Sequence, residues 1–278
     1  GLTYVLINGG IDLSVGSNIG LSAATALATA MTGAPLFISI LAGIGTGLAF
    51  GIVNGTLVAR VGLNDFIVTL ATLSIGAGML KVFTASVPLT GTSDESFLML
   101  TGGSFLGIPS GLVVALLVLL LLEVLLVKTP FGRSIYATGI NQDAAFLAGV
   151  QVRRVQFSVF VASGVVAGIA GVLLASHLNS VQPGLGVGYE LNAIAGAVVG
   201  GVALAGGRGI WRAVLGAFLL SVLSRGLQLI GMDPLWFSIV TGAAIVAAVA
   251  FDRGAQAWLL AARRPVPESS APSPAPAK

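Results

Sequence analysis

An all-α, polytopic membrane protein is the fold class this sequence predicts. Three observations lead there. Only 8% of the 278 residues are charged, against roughly a quarter in soluble domains, and a water-soluble fold so poor in charge could not cover its surface. Hydrophobic residues make up 56% of the chain, and its mean hydropathy is +1.02. Apolar stretches recur near the length that crosses about 30 Å of hydrocarbon, which gives about eight or nine spans. Glycine, at 39 residues, is about twice its usual share. Small residues let membrane helices approach closely, so the bundle is expected to be tight.

The chain begins inside an apolar run, residues 2–7, which reads as the end of a span. Further sequence is expected upstream of Gly1. Asn8, Asp12, Ser14 and Ser17, interleaved with Gly9, Gly10 and Gly16, then interrupt the hydrophobic pattern without lengthening into a loop. That is the mark of a broken helix, tolerated in a membrane only where protein or a water-filled cavity satisfies the backbone. Spans follow at about 15–31, 36–59 (opened by Pro35 and holding Asn54), 66–84 and 111–127. Residues 86–110 are polar and Gly-rich, with a possible short helix over 97–106. Later spans are placed at about 155–175, 191–205, 213–230 and 235–251. The last three are short, near the lower limit for crossing. A Pro-, Ser- and Ala-rich tail, 254–278, is expected to be disordered beside a membrane domain covering 1–253.

The longest polar interruption is 128–154. It carries Lys128, Arg133, Arg153 and Arg154 against one acid, Asp143. Asn141 suits an N-cap, Asp143 a first turn and Gly149 a helix end, so 141–150 could form a short helix. Such a loop is either a docking surface for a cytoplasmic partner or a solvated connector. If it is cytoplasmic, alternation places Arg60, Arg208, Arg212, Arg253, Arg263, Arg264 and Lys278 on the same side. The loops at 86–110 and 177–190, free of Lys and Arg, then fall outside, as the positive-inside rule requires. The C-terminus is expected in the cytoplasm.

The pattern of Asp12, Asn54-Gly55 and Asp65-Phe66 returns weakly as Glu190, Arg225-Gly226 and Asp233-Pro234. The two halves would cross the membrane in opposite directions, an inverted repeat of the kind that places a pathway at its interface.

Several chemistries are excluded. There are no cysteines and one histidine, His177, so thiolate and His-based metal sites are ruled out. No Gly-Lys pair exists, so the chain has no P-loop of its own and ATP would have to be bound elsewhere. Gly184, Gly186 and Gly188 read as a flexible turn. Glu123 reads as pairing with Lys128 or water. Asp12 and Glu190 stand at helix starts, as caps or as fixers of broken segments that line a pathway. Asn192 and Gln228 are further polar groups within spans. Intramembrane charges are few, which disfavours gradient-driven transport.

Several segments together resemble the ribose-type sugar ABC transporter permeases, in order and spacing, over essentially the whole chain except the tail. They are Gly10-Ile11-Asp12-Leu13-Ser14-Val15-Gly16-Ser17, Thr129-Pro130-Phe131-Gly132-Arg133, Tyr136-Ala137-Thr138-Gly139 with 141–149, Gln182-Pro183, Gly188-Tyr189-Glu190-Leu191-Asn192-Ala193-Ile194-Ala195, Gly200-Gly201, and Ala205-Gly206-Gly207-Arg208-Gly209. The resemblance implies an inverted-repeat, type II importer permease in a bacterial cytoplasmic membrane. It would work as a pair, usually a homodimer, with a cytoplasmic ATPase that binds the ATP and an extracytoplasmic binding protein that delivers a monosaccharide such as ribose or xylose. It further implies that 141–149, with Asn141, Asp143, Ala144, Ala145, Leu147 and Gly149, is the coupling helix that meets the ATPase. Candidate pathway residues are Asn8, Asp12, Ser14, Ser17, Asn54, Glu190 and Asn192. The chain departs from the family at its start, where a further span is usual, and in its longer Pro-rich tail. The alternatives are a permease for branched-chain amino acids or nucleosides and a gradient-driven secondary transporter; a membrane-embedded enzyme is disfavoured by the sparse chemistry.

Overall fold

The computed structural model describes residues 1–202 and 209–231, with isolated positions at 236, 239, 242, 243 and 246. The expected 254–278 tail, nearly all of the 235–251 span and the Ala205–Arg208 part of the quoted motif lie outside the described residues. The chain divides into two compact units, Gly1–Ser221 and Val222–Lys278, and the first holds nearly all of the described residues.

Helices come in the order α1 (Leu2–Ile7), α2 (Val15–Met31), α3 (Leu36–Thr56), α4 (Asp65–Phe83), α5 (Glu95–Gly102), α6 (Ser110–Lys128), α7 (Pro130–Ile140), α8 (Gln142–Leu147), α9 (Val152–Leu178), α10 (Tyr189–Val199) and α11 (Trp211–Leu229). Helix α3 continues as a π-helical turn, Leu57–Val61, and stops at Gly62, whose φ of 83° turns the chain left-handed. Two short antiparallel pairs complete the fold. β1 (Leu89–Thr90) joins β4 (Ser180–Val181), and β2 (Ser104–Phe105) joins β3 (Ile108–Pro109). Among the described residues, five helices are long and apolar enough to cross a membrane: Leu36–Val61, Asp65–Phe83, Ser110–Lys128, Val152–Leu178 and Trp211–Leu229.

Local sequence accounts for the ends. The Asn64 side chain accepts from the Ile67 N–H and starts α4, with Asp65 in the first turn. The Asp94 side chain accepts from the Ser96 N–H and starts α5, so the short helix expected at 97–106 begins two residues earlier and ends at Gly102. Thr129 caps α7, with Pro130 in its first turn, where a missing N–H costs nothing.

The bundle is held by close approach, since lipid is as apolar as leucine and gives no driving force between helices. Helix α3 carries Gly43, Gly47, Gly51 and Gly55, one every four residues on a single face. A Cβ at Gly47 would stand 2.4 Å from the Gly164 carbonyl oxygen, and one at Gly51 would stand 2.7 Å from that of Phe160. Across the seam on α9, a Cβ at Gly164 would stand 2.4 Å from the Gly47 carbonyl oxygen, and one at Gly168 3.0 Å from that of Gly43. Helix α2 packs in the same group: a Cβ at Gly171 would meet the Ile19 carbonyl oxygen at 2.6 Å. Two apolar clusters flank this centre. One, at the end carrying β1 and β4, contains Leu27, Leu80, Phe97 and Ala175. The other, at the end carrying α7, contains Tyr4, Leu126, Ile135 and Phe160.

Candidate functional site

The break between α1 and α2 is a buried polar knot. Asp12 Oδ1 accepts from the Ser14 N–H at 3.0 Å and the Ser14 hydroxyl at 2.6 Å, and Oδ2 accepts from the Ser163 hydroxyl of α9 at 2.8 Å. Asn54 of α3 donates through Nδ2 to Ser14 Oγ at 2.8 Å. Asn18 donates to the Gly164 carbonyl at 3.3 Å and accepts from Ser22. On the other side the Ile11 N–H donates to Asp65 Oδ2 at 2.6 Å. Unwound backbone at this depth must be satisfied by protein, and α2, α3, α4 and α9 all contribute. Ser163 lies near the midpoint of the 27-residue α9, so α2 starts halfway through the bundle. Of the candidate pathway residues, Asn8, Asp12, Ser14, Ser17 and Asn54 are all buried around this break.

Replacing Asp12 with alanine is expected to leave three donors without an acceptor. At about 1–3 kcal/mol per unsatisfied group, discounted because polar groups in membrane helices find new partners, the cost is about 3 kcal/mol. Asp12→Asn, which keeps one oxygen, is expected to cost less. Thermal unfolding of the purified permease checks both. Equal midpoints for wild type and Asp12→Ala would remove the structural role.

The second break faces the first. After β4 the chain turns inward through 182–188. The segment is a turn, as the sequence suggested, but Gly186 within it is held against α2, while Gly184 and Gly188 have open space around them. Gly186, at φ 93°, presses on α2 so closely that a Cβ there would stand 2.0 Å from the Gly16 carbonyl oxygen. A Cβ at Gly20 would stand 2.2 Å from the Leu185 carbonyl oxygen. Glu190 Oε1 accepts from the Gly188 N–H at 3.0 Å at the start of α10, while its Oε2 is buried with no hydrogen-bond partner among the described residues. A Cβ at Gly16 would reach that same Oε2 at 2.0 Å.

From this meeting point the two helices run apart. Ala30, near the far end of α2, accepts from Thr92 beside β1. The far end of α10 packs with Ala213, Leu6 and Ile7. At 11 residues, α10 extends about 16 Å, half a membrane. Over the described residues, the span expected at 191–205 is a helix that stops at Val199; residues 203–205 lie outside them. Asn192, on α10, is exposed.

The polar stretch 128–154 contains two helices and the first turn of a third, where sequence suggested one short helix. The N-cap and stop expected for the second are present. The Asn141 side chain accepts from the Ala144 N–H at 2.9 Å, and Gly149, at φ 86°, ends the turn after Leu147. Asp143 sits in the first turn of α8. Asn141, Asp143, Ala144, Leu147 and Gly149 are exposed, but Ala145 is 4% exposed and faces inward. Three apolar side chains stand out, Ile140 and Leu147 at 85% and Phe146 at 69% exposure. The sequence reading missed Ile140, which adjoins the expected cap, and Phe146, which lies within the expected helix.

Helix α7 is fixed to α1 by Gly139, where a Cβ would stand 1.8 Å from the Ile7 carbonyl oxygen. Glu123 does not serve Lys128 as expected. Its Oε2 accepts from the Ile210 N–H at 2.6 Å at the start of α11, and the Gly209 N–H donates to Tyr136 Oη at 2.9 Å. In the second unit, Arg225 donates to Gln228 Oε1 at 2.9 Å, one helical turn away.

Two breaks that meet inside the bundle, with a helical hairpin packed beside the first, are an arrangement that suits a membrane transport component. The chain belongs to the family described as branched-chain amino acid transport system / permease component, whose model matches residues 1–249. It is a permease subunit of an ABC importer and a multi-pass protein of the inner membrane. It is similar to the ribose import permease RbsC of Bacillus subtilis, 39% identical over 255 residues, 91% of this chain and 79% of the relative. It is also similar to two Escherichia coli proteins, the L-arabinose transport permease AraH (38% over 254 residues, 91% and 77%) and the D-allose transport permease AlsC (36% over 252 residues, 90% and 77%). No solved structure matches the chain.

Proposed function

We propose that this chain forms the translocation pathway of an ATP-driven importer for a monosaccharide. The observation that carries the reading is identity of 36–39%, over nine-tenths of the chain, to permeases named for three different sugars. The partners are a cytoplasmic ABC ATPase, an extracytoplasmic sugar-binding protein and a second copy of the permease in a homodimer. Helix α8 couples to the ATPase, and its exposed Phe146 and Leu147, beside the equally apolar Ile140, support this. Such side chains suit a groove on a partner better than water. The α7–α8 hairpin and the C-terminus face the cytoplasm, in keeping with the positive-inside rule. Of the pathway candidates, Asp12, Ser14, Ser17, Asn54 and Glu190 fix the two breaks, Asn8 is buried beside the first, and Asn192 offers an exposed amide for sugar hydroxyls.

Vesicles holding the permease, its ATPase and the binding protein are expected to accumulate D-ribose, D-allose or L-arabinose only with ATP. Accumulation without the ATPase and driven by an ion gradient would overturn the reading. The family description favours a second substrate class, so leucine is assayed in the same vesicles.

The absence of cysteine makes the coupling test direct. Leu147→Cys is expected to crosslink to a cysteine in the ATPase with a yield that changes with ATP, and the inward Ala145→Cys is expected to stay silent. Phe146→Asp is expected to lower ATP-dependent uptake about tenfold, equivalent to about 1.4 kcal/mol of coupling. A crosslink-free Leu147→Cys in vesicles that transport normally would make α8 a connector.

A further inference from the structure

We propose that the flank of α4 carrying Ser74, Gly78 and Lys81 lines the outer half of the sugar's route, with a second copy of the chain closing the opposite side. The assignment rests on the function proposed above and narrows it to named residues.

This flank differs from a lipid-facing one. The outward face of α6 is bulky hydrocarbon, with Leu116, Leu117, Leu120, Leu121 and Val124 all exposed, and acyl chains suit it. On α4, Ser74, Gly78 and Lys81 follow at four- and three-residue spacing, so they share one face. All three are exposed. Ser74 stands at the midpoint of the 19-residue helix, and Lys81 lies about two turns further out. A Cβ at Gly78 would meet nothing within 4 Å.

Two unpaired polar groups fix what the flank faces. The Lys81 ammonium has no partner among the described residues, and a cation in a membrane span faces water or a cavity unless it reaches the headgroups. Lys81 is in the last turn of α4, so the deeper group decides. Asn192 is the fourth residue of α10, about one turn from the point where the two breaks meet and far from any headgroup. Its amide is exposed and has no partner among the described residues. Lipid satisfies none of its hydrogen bonds. The two groups lie on the same side of α2. A Cβ at Gly20 of α2 would stand 2.2 Å from the Leu185 carbonyl oxygen and 3.0 Å from Leu80 Cδ2. Helix α4 and the segment leading into α10 are therefore neighbours there. Round α4 from Leu80, Ala77 comes first and then Lys81 and Ser74, so this flank and the start of α10 border one surface.

Ammonium, hydroxyl and amide together offer donors and acceptors to a neutral polyol. A sugar on an open flank would meet lipid, so the far wall is protein, and a second copy presents the same flank about a two-fold axis. Packed dry, the two copies would set one Lys81 beside the other, with no acid on the flank to pair them. The gap therefore holds water and solute. The inner end of α4 is tied to the first break, since Asp65 accepts from the Ile11 N–H and the Thr69 hydroxyl donates to the Ile11 carbonyl at 3.3 Å. A shift of that break moves the flank.

The test uses the complete permease–ATPase complex in vesicles with the binding protein outside. Single cysteines are placed at Gly78, Lys81 and Asn192. Met79→Cys and Leu117→Cys are controls at exposed positions on other faces. The probe is a membrane-impermeant, negatively charged methanethiosulfonate added from outside. Only a thiol in water ionises and reacts fast, so Gly78→Cys and Asn192→Cys are expected to react at least about tenfold faster than the controls. Their modification is expected to stop uptake of whichever of D-ribose, D-allose and L-arabinose the vesicles accumulate beforehand. A short bifunctional methanethiosulfonate is expected to join two copies of Gly78→Cys. If Gly78→Cys reacts no faster than the controls, the site is overturned and the importer reading stands. Reaction at Lys81→Cys alone marks the membrane interface and overturns it too. Fast reaction without loss of uptake puts the flank off the route, and reaction without the crosslink removes the second copy from its far wall; either result overturns the proposal. Unsubstituted vesicles that transport no sugar remove the functional reading first, and the site with it.

Discussion

Gly47→Leu is expected to destabilise the bundle by about 3 kcal/mol or more. Even the first carbon of a side chain there would stand 2.4 Å from the Gly164 carbonyl oxygen and 2.7 Å from the Gly168 Cα. Both are backbone atoms of α9, which cannot swing aside as a side chain would. Overpacking a core costs about 1–3 kcal/mol where neighbours can shift, and a leucine wedged against backbone belongs at or above the upper end. Stabilities of roughly 5–15 kcal/mol leave little margin for such a loss. Gly45 is the internal control, because it lies on the same helix with open space around it. Gly45→Ala is expected to change stability by no more than about 0.5 kcal/mol. Thermal unfolding of the three proteins decides the matter, and a Gly47→Leu midpoint equal to that of wild type would show that the seam does not hold the bundle.

Gly186→Ala is expected to give a folded protein that transports poorly. Two penalties coincide at this position. Its φ of 93° is disfavoured for an L side chain, and a Cβ would stand 2.0 Å from the Gly16 carbonyl oxygen. Together they amount to about 2–4 kcal/mol, borne where the two breaks meet and away from the α3–α9 seam. The bundle therefore survives while the half-helices move apart. ATP-dependent uptake is expected to fall at least about tenfold, with the thermal midpoint lowered by roughly 4–16 °C. Gly184, two residues earlier, has open space and no positive φ, so Gly184→Ala is expected to transport like wild type. Equal uptake by both variants would show that the meeting point plays no part in transport.

Composition and the polar interruption at Asn8–Ser17 made the membrane class and the first break legible, because burying unwound backbone in lipid has so few solutions. The α8 cap was legible for a local reason: Asn141 and Gly149 each act on atoms within a few residues. Contacts across the chain were hidden. Nothing near Glu123 announces that it receives the Ile210 N–H, since the partner lies 87 residues away. Gly186 looked like its neighbours Gly184 and Gly188 because the same residue type serves freedom and close approach alike, and only the opposing helix singles it out. The four-residue spacing of Gly43, Gly47, Gly51 and Gly55 was visible and is the signal that could have located the seam. The Thr129-Pro130 cap could likewise have revealed α7.

The glycine seam between α3 and α9 also has an entropic consequence. In water, glycine weakens a helix because an unfolded chain loses so much backbone freedom on ordering it. In a bilayer, segments become helical on insertion, since their polar backbone must be satisfied internally. That loss therefore precedes helix association. What remains when α3 meets α9 is side-chain freedom, and glycine has none to give up. The seam can thus close with almost no ordering penalty, even though Gly47 and Gly164 are separated by more than a hundred residues of chain. An early helix can wait, already formed, until its late partner enters the membrane.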